Sequence, residues 1–221
     1  MNSKLVVAVD VFDCNFALDL AREIGKEVFA IKVNWPLLMA RGSSIVSELG
    51  QYTRVICDLK IADIPNTNRL IAGRVAEEGA WGVISHSFTG EDSLRAVVEA
   101  AGDTKVFSVV AMSHPGSSEF IYPSTDALIG LSIKAGAYGL IAPGNDYSML
   151  SRIRSRTRDQ VLMTPGIGAQ GGSPEEALKH GADLLIVGRA IYNAEKPIEA
   201  VREFNAAISS FKGQAENKQL S

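Results

Sequence analysis

The chain has 221 residues, of which 46% are hydrophobic and 21% are charged, and its formal net charge is −3. This size and composition predict a globular protein with a sizeable core. Because there is no basic surplus to hold a phosphate backbone, nucleic acid is not an expected partner. The first apolar run, residues 5–9, is too short for a signal peptide or a membrane span, so no membrane partner is expected either.

Short apolar runs alternate with longer helical segments along the chain. The predicted strands cover residues 5–9, 28–33, 54–59, 82–85, 105–111, 138–142, 161–164 and 184–187. The predicted helices cover residues 16–24, 35–49 with a break near Gly42, 63–78, 91–101, 126–135, 147–156, 174–180 and 197–210. The strands read as unbroken apolar runs, which is typical of parallel strands buried on both faces.

Eight strand–helix units in a chain of this length predict an α/β fold, a compact (β/α)8 (TIM) barrel of one domain. The barrel domain is expected to cover residues 1–210 and to be followed by a polar C-terminal tail, residues 211–221. The alternative is a doubly wound open sheet.

Cysteine and histidine are scarce and scattered. The chain contains Cys14, Cys57, His86, His114 and His180, and their spacings match neither a disulfide scaffold nor a zinc site. Few cysteines are typical of a reducing compartment, so we expect a cytoplasmic location and no bound metal.

Charged residues fall where a barrel of this kind holds its active site, at the carboxyl ends of the strands. Asp10 follows the first strand, Lys32 lies late in the second, and Asp58 and Lys60 end the third. Residues two apart in a strand share a face, so Asp58 and Lys60 should point the same way. A lysine inside an apolar run needs a partner, and the candidates for Lys32 are Asp10 and Asp58.

A second acid, Asp63, follows where the third strand is expected to end, just before Pro65 starts a helix. Two acids therefore bracket the ammonium group of Lys60 at the mouth of a strand. A surface salt-bridge cluster is the alternative explanation, but exposed ion pairs stabilise a protein little. The convergence of these charges with Asp10 and Lys32 favours a functional site.

The loops after the seventh and eighth strands predict a phosphate site, which this fold commonly places there. Both are rich in glycine, and the backbone N–H groups of such loops can approach an anion closely. Arg189 opens a short helical segment, residues 189–192, and adds a guanidinium group.

One glycine pattern in this region resembles a dinucleotide-binding fingerprint, Gly166-x-Gly168-x-x-Gly171. That fingerprint requires a helix opening within it and an acid about 20 residues further on. Here the helix opens only at Pro174, and residues 189–191 contain no acid. We therefore predict no NAD site.

Residues 113–124 form a long predicted connection that is rich in serine, glycine and proline, and such connections often act as lids. Ser113 lies at its start, where it can contact the polar ring of a ligand. His114 is predicted to be structural, because the sequence assigns it no acidic partner.

Together these motifs resemble those of orotidine 5′-phosphate decarboxylases in their compact microbial form, over residues 7–191. The resemblance is carried by Asp10, Lys32, Asp58-x-Lys60-x-x-Asp63-Ile64-x-x-Thr67, Met112-Ser113-His114-Pro115-Gly116, Pro165-Gly166-Ile167 with Gln170, and Val187-Gly188-Arg189. A sister group of magnesium-dependent sugar-phosphate lyases shares the Asp-x-Lys-x-x-Asp motif but has a glutamate near the end of the second strand. Lys32 would repel that metal, which favours the decarboxylase.

The resemblance implies a carboxy-lyase that converts orotidine 5′-phosphate to UMP and CO2, the last step of de novo pyrimidine biosynthesis, without a cofactor. It implies that Lys60 protonates a carbanion at C6 and that Asp58, Lys32 and Asp63 complete the catalytic array. The implied substrate-binding residues are Asp10, Lys32, Asp63 and Thr67 for the ribose, Ser113 for the pyrimidine, Gln170, Gly188 and Arg189 for the phosphate, and in addition Pro165.

In that family the residues at Asp63 and Thr67 cross a dimer interface, so the resemblance implies a homodimer with shared sites. Two alternatives stay open at this point. One is a magnesium-dependent sugar-phosphate decarboxylase or aldolase, and the other is a non-catalytic nucleotide-binding barrel.

Overall fold

A computed structural model describes residues 3–157 and 159–219 of the chain. Within these ranges, eight parallel strands pair in chain order, and β1 pairs with β8 to close a barrel. The strands are β1 Leu5–Val9, β2 Ala30–Val33, β3 Arg54–Ile61, β4 Gly82–His86, β5 Lys105–Val109, β6 Gly139–Ile141, β7 Val161–Thr164 and β8 Leu184–Val187. The predicted (β/α)8 barrel is confirmed, and the open-sheet alternative is wrong.

Helices cover the outside of the barrel and connect successive strands. In the described ranges they are α1 Cys14–Ile24, α2 Trp35–Arg41, α3 Ser44–Gly50, α4 Pro65–Glu77, α5 Glu91–Ala101, α6 Ser117–Ala135, α7 Tyr147–Arg156, α8 Pro174–Lys179, α9 Arg189–Tyr192 and α10 Pro197–Gln219. The break predicted near Gly42 separates α2 from α3, and this glycine has the left-handed φ of 77°. Helix α8 begins at Pro174, after the glycine pattern that ends at Gly171. The helix therefore does not open within that pattern, as a dinucleotide-binding fingerprint would require.

The connection after β5 is shorter than the sequence predicted. Residues 117–124 belong to helix α6, so the expected lid-like loop over residues 113–124 is wrong beyond residue 116. The serine, glycine and proline content of this segment favoured a loop. Pro123 nevertheless lies inside the helix, where it removes one backbone hydrogen bond. Pro123 and Glu119, whose carbonyl loses that bond, are both exposed, so water can satisfy the carbonyl group.

Two apolar cores hold the barrel together. One lies between the strands and the surrounding helices, and the other fills the barrel interior around the fully buried Phe107. Gly139 on β6 is required by this packing, because a Cβ atom there would lie 2.6 Å from the ring of Phe107. Towards the carboxyl ends of the strands the interior core opens into a cavity, and Ile84, Val109 and Ile141 belong to both.

The last helix, α10, continues to Gln219, whereas the sequence predicted a helix that ends near residue 210. A polar tail that is separate from the barrel domain at residue 210 stays a prediction, and residues 220 and 221 lie outside the described residues. In the described part of the chain, no helix combines the length and apolar character that crossing a membrane requires.

Candidate active site

A cavity of about 350 Å³ opens at the carboxyl ends of the strands. Nine of the eleven predicted site residues line it: Asp10, Lys32, Asp58, Lys60, Ser113, Pro165, Gln170, Gly188 and Arg189. Lys60 and Arg189, from opposite parts of the sequence, therefore face the same space. The other two, Asp63 and Thr67, are not among its lining residues.

The carboxylate of Asp58 is held between two ammonium groups. Lys60 Nζ lies 2.8 Å from Asp58 Oδ1, and Lys32 Nζ lies 2.9 Å from Asp58 Oδ2. Lys32 also contacts Asp10 Oδ1 at 3.5 Å, so the charges alternate in sign along Asp10, Lys32, Asp58 and Lys60. The strands β1, β2 and β3 are neighbours in the barrel, and this adjacency brings the four side chains together.

Burial makes this array costly unless every charge is paired. The side chains of Lys32 and Asp58 are only 6% and 9% exposed. Burial alone would lower the pKa of Lys32, but the attraction of Asp58 and then of Asp10 outweighs it and raises that pKa. Burial alone would raise the pKa of Asp58, but Lys32 and Lys60 hold it below its ordinary value. Both groups are therefore charged at neutral pH.

Lys60 reaches the array through an irregular backbone. It is the only non-glycine residue in the described ranges with positive φ, at 46°. A non-glycine residue in such a conformation costs about 1–3 kcal/mol and persists only where its surroundings impose it. Asp58 and Lys60 do face the same cavity as predicted, but β3 runs on to Ile61 and carries a bulge between Cys57 and Ile61.

The loops after β7 and β8 form the other side of the cavity. Gly166, Gly168 and Gly171 have φ of 98°, 75° and 88°, values that favour glycine. A Cβ atom at Gly172 would lie 2.6 Å from the carbonyl oxygen of Gly166, so the loop folds tightly on itself. Arg189 lines the cavity from the start of α9, and its guanidinium group makes no hydrogen bond or ion pair within the described part of the chain. An unpaired guanidinium at a cavity wall suits an anion.

A hydrogen bond of 3.1 Å from Ser113 Oγ to Gln170 Oε1 joins the loops after β5 and β7. Ser113 and Gln170, which are both predicted to contact the ligand, therefore lie together at one side of the cavity. His114, expected to be structural, also lines the cavity beside Ser113.

The sequence did not identify several cavity residues. Asn34 follows β2 at its carboxyl end, and its Oδ1 is buried without a hydrogen-bond partner among the described residues. Asp10 was selected because it directly follows the carboxyl end of a predicted strand, and the same criterion would have selected Asn34. The apolar wall of Ile84, Val109 and Ile141 gave no such signal, because apolar residues late in a strand are equally typical of a core.

Asp63 and Thr67 are not among the residues that line the cavity: Asp63 precedes α4, and Thr67 lies in the first turn of that helix. The backbone of Asp63 is fixed, because its N–H donates to Asn68 Oδ1 at 3.1 Å and its carbonyl accepts from Ser93 Oγ at 2.6 Å. Its carboxylate accepts a hydrogen bond from the N–H of Ile64 at 2.7 Å, and the residue is exposed. The structure therefore presents Asp63 at the surface, away from its own cavity.

His86 ends β4, close to the ion array. Its ring packs against Phe88 at 4.7 Å between centroids, and its Nδ1 is buried without a hydrogen-bond partner in the described residues. Burial first, and then the positive charge of Lys60, lower the pKa of His86 to about 4 against the weaker pull of Asp58. His86 is therefore neutral at neutral pH.

We predict that His86 makes the protein less stable as the pH falls. Its pKa is lower in the folded chain, so between about pH 6.5 and 4 the unfolded chain binds the extra proton. Between pH 7.5 and 5 this single group should remove about 2 kcal/mol from the free energy of unfolding. Denaturant unfolding at pH 7.5 and pH 5 measures this effect. The free energy of unfolding should fall less for His86→Gln than for the wild type, and equal decreases would contradict this prediction.

Comparison with known proteins identifies the family of this chain. A family model described as the orotidine 5′-phosphate decarboxylase / HUMPS family matches residues 3–204. An orotidine 5′-phosphate decarboxylase of Thermoplasma acidophilum is 57% identical over 94% of this chain and 96% of its own length, and one of Pyrococcus furiosus is 49% identical over 90% and 94%.

Solved structures give the same result. The crystal structure of orotidine 5′-phosphate decarboxylase from Pyrococcus horikoshii OT3 has a TM-score of 0.87 at 44% identity, covering 93% of this chain and 99% of that one. The Methanocaldococcus jannaschii enzyme complexed with the inhibitor BMP has a TM-score of 0.88 at 37% identity, covering 93% and 98%. The chain therefore belongs to the orotidine 5′-phosphate decarboxylase / HUMPS family.

Proposed function

We propose that this protein converts orotidine 5′-phosphate to UMP and CO2, the last step of de novo pyrimidine biosynthesis, without a metal or an organic cofactor. The observation that carries the proposal is that the ammonium group of Lys60 and the guanidinium group of Arg189 line one cavity. The positive charge of Lys60 can stabilise a reacting carbon on which negative charge develops, and the guanidinium group of Arg189 can bind a phosphate. Family membership and the names of the relatives support the same reaction.

The chemistry requires stabilisation of a carbanion. Loss of CO2 leaves an electron pair at C6 of the pyrimidine, with no adjacent carbonyl group to delocalise it. In our proposal the Lys60 ammonium stabilises this charge and then donates its proton to C6, after which solvent reprotonates the amine. General acid catalysis supplies about 10²- to 10⁴-fold, so electrostatic preorganisation by the fixed array must supply the rest.

Asp58 has two roles in this proposal. It holds both lysines in place, since each of its oxygens contacts an ammonium group within 3.0 Å. It also faces the substrate carboxylate, whose repulsion is relieved when neutral CO2 leaves. Because Lys32 and Lys60 occupy both oxygens, a metal ion at Asp58 would have to displace them. This arrangement favours the decarboxylase over the magnesium-dependent alternative.

The phosphate, the base and the ribose take the remaining predicted contacts. Arg189, with Gln170 and Gly188 nearby, binds the phosphate, and Pro165 lies in the same wall. Ser113 contacts the pyrimidine, and its bond to Gln170 couples that contact to the phosphate side. Phosphate binding energy can then help to assemble the site. Asp10 and Lys32 bind the ribose.

We propose that Asp63 and Thr67 bind the ribose in the cavity of a partner chain, since neither lines the cavity of its own chain. The protein would then be a homodimer in which each chain supplies these two residues to the other. We propose a cytoplasmic location for this dimer. Support comes from an apolar rim at the carboxyl ends of β2, β3 and β4. It consists of side chains that are all more than half exposed: Trp35, Met39, Ile64 and Phe88. Exposed apolar side chains on neighbouring connections are typical of a protein interface, and Ile64 directly follows Asp63.

The first test is an absorbance assay of orotidine 5′-phosphate with EDTA present. We expect turnover by the wild-type chain and a loss of at least about 10²-fold in kcat for Lys60→Ala, because its proton donor is gone. Circular dichroism should show that the variant remains folded. A near-normal kcat for Lys60→Ala would contradict the role of Lys60. Activity that EDTA abolishes would favour the magnesium-dependent enzyme, and tight UMP binding without turnover would favour a non-catalytic barrel.

Arg189→Ala should lower kcat/KM for orotidine 5′-phosphate by about 10- to 100-fold, since it removes a charge-assisted hydrogen bond to the phosphate. On orotidine, which lacks the phosphate, the same substitution should cause little further loss. The matched control is Arg152→Ala, a surface arginine paired with Asp126 at 3.1 Å, which should leave both values unchanged. If the loss from Arg189→Ala is as large on orotidine, Arg189 does not bind the phosphate.

A mixing experiment tests the shared site. Lys60→Ala and Asp63→Ala should each be inactive as homodimers, but a mixed dimer would contain one complete cavity. Equal co-expression should therefore restore about a quarter of wild-type activity, given random pairing of the two chains. No recovery in a sample that sedimentation shows to be dimeric would place Asp63 in its own chain's site, and an active Asp63→Ala homodimer would place it in neither site.

A further inference from the structure

The backbone around Lys60 departs from the barrel's regular pairing. Along the β3–β4 pair, Cys57 faces Val83 and Ile61 faces Ser85, so β3 advances four residues while β4 advances two. The two extra residues form a bulge, and bulges redirect side chains at the rims of barrels. Lys60, with its left-handed φ of 46°, lies in this bulge.

The bulge interrupts the regular pairing of β3 with β4. On the other edge of β3, the last residue pair with β2 is Val33 with Cys57. The carbonyl of Leu59 therefore lies beyond the paired part of β2 and inside the irregular part of the β3–β4 pair. A left-handed conformation at Lys60 persists only where surrounding contacts fix the backbone before and after it.

Two side chains from neighbouring elements supply those contacts. The indole Nε1 of Trp35, at the start of α2, donates to the carbonyl of Leu59 at 3.2 Å, and this carbonyl belongs to the peptide that precedes Lys60. Ser85 Oγ, on β4, donates to the carbonyl of Ile61 at 2.8 Å, one residue beyond Lys60. The bulge is therefore held from the start of α2 on one side and from β4 on the other.

We propose that Trp35 and Ser85 are positioning residues for Lys60. Their hydrogen bonds fix the left-handed backbone that directs the ammonium group to Asp58 and into the cavity. The side chain of Lys60 is 41% exposed, and its hydrogen bonds run to Asp58. Backbone constraint therefore adds to the ion pair with Asp58 in keeping this half-exposed ammonium group fixed. This inference rests on the proposed function.

The position of Trp35 alone suggests a different role, because the residue is 51% exposed and belongs to the apolar rim. If it served only as apolar surface, phenylalanine would replace it with little effect on the chemical step. The hydrogen bond to Leu59 distinguishes the two roles, since phenylalanine keeps a ring but has no donor.

The test compares Trp35→Phe and Ser85→Ala with matched controls. The controls are Trp81→Phe, on the only other tryptophan, which packs against Phe29, and Ser87→Ala, on a buried serine that donates to the carbonyl of Val109 at 3.0 Å. Each positioning variant should lose about tenfold in kcat, the equivalent of one hydrogen bond. KM and the dissociation constant for UMP should change less than about twofold, as expected for an effect on the transition state alone. The controls should keep wild-type kcat.

A second measurement separates positioning from general destabilisation. In a chain that already carries Lys60→Ala, adding Trp35→Phe should cause no further loss of the residual rate, because Trp35 acts through Lys60. Wild-type kcat in Trp35→Phe and Ser85→Ala, or a tenfold further loss in the Lys60→Ala background, would overturn the inference. If the wild-type chain does not decarboxylate orotidine 5′-phosphate, the proposed function fails first and this inference fails with it.

Discussion

The site depends on one buried carboxylate, Asp58, and on the two ammonium groups that neutralise it. A carboxylate with so little exposure is stable in its charged form only when opposite charges contact it directly. Lys32 and Lys60 meet that condition, and Asp10 extends the pairing to the cavity mouth. Removing Asp58 would leave the buried ammonium group of Lys32 with only its longer contact to Asp10. The array is therefore a fixed electrostatic environment, which is what a reaction through a carbanion needs.

The barrel creates this array from residues that are far apart in the sequence. Parallel pairing of β1, β2 and β3 sets their carboxyl ends side by side, so that Asp10, Lys32 and Asp58 converge. The same closure brings the glycine-rich loops after β7 and β8 to the other side of the cavity, since β8 pairs with β1. One topological feature thus joins a catalytic array to a guanidinium that suits a phosphate, and it explains why so small a chain can carry both.

Much of this could be predicted from the sequence, because the signals are local. Unbroken apolar runs, each followed by a helical segment, are enough to predict a parallel barrel, and polar residues that end those runs mark its rim. Lys32 was informative since a lysine in an apolar run requires an acidic partner. The segment over residues 117–124 was mispredicted because serine and proline favour loops on average, whereas here tertiary packing keeps Ser117 and Thr125 buried in a helix.

Other features could not be predicted because they depend on three-dimensional contacts. The bulge at Lys60 follows from the relative register of β3 and β4, which no single segment encodes. The apolar wall of Ile84, Val109 and Ile141 is indistinguishable in sequence from ordinary core. The low pKa of His86 arises from burial and from the charge of Lys60. Sequence patterns thus locate charged rim residues well, but they do not reveal how the backbone aims them.

The central claim is that the Lys60 ammonium faces the reacting carbon while Arg189 holds the phosphate of the same ligand. A crystal structure of the protein with UMP bound tests this most directly. We expect Lys60 Nζ within about 3.5 Å of C6 of the pyrimidine, the distance of a near-attack arrangement, and the Arg189 guanidinium on the phosphate. A complex in which Lys60 turns to solvent, or in which the phosphate lies away from the loops after β7 and β8, would contradict the account.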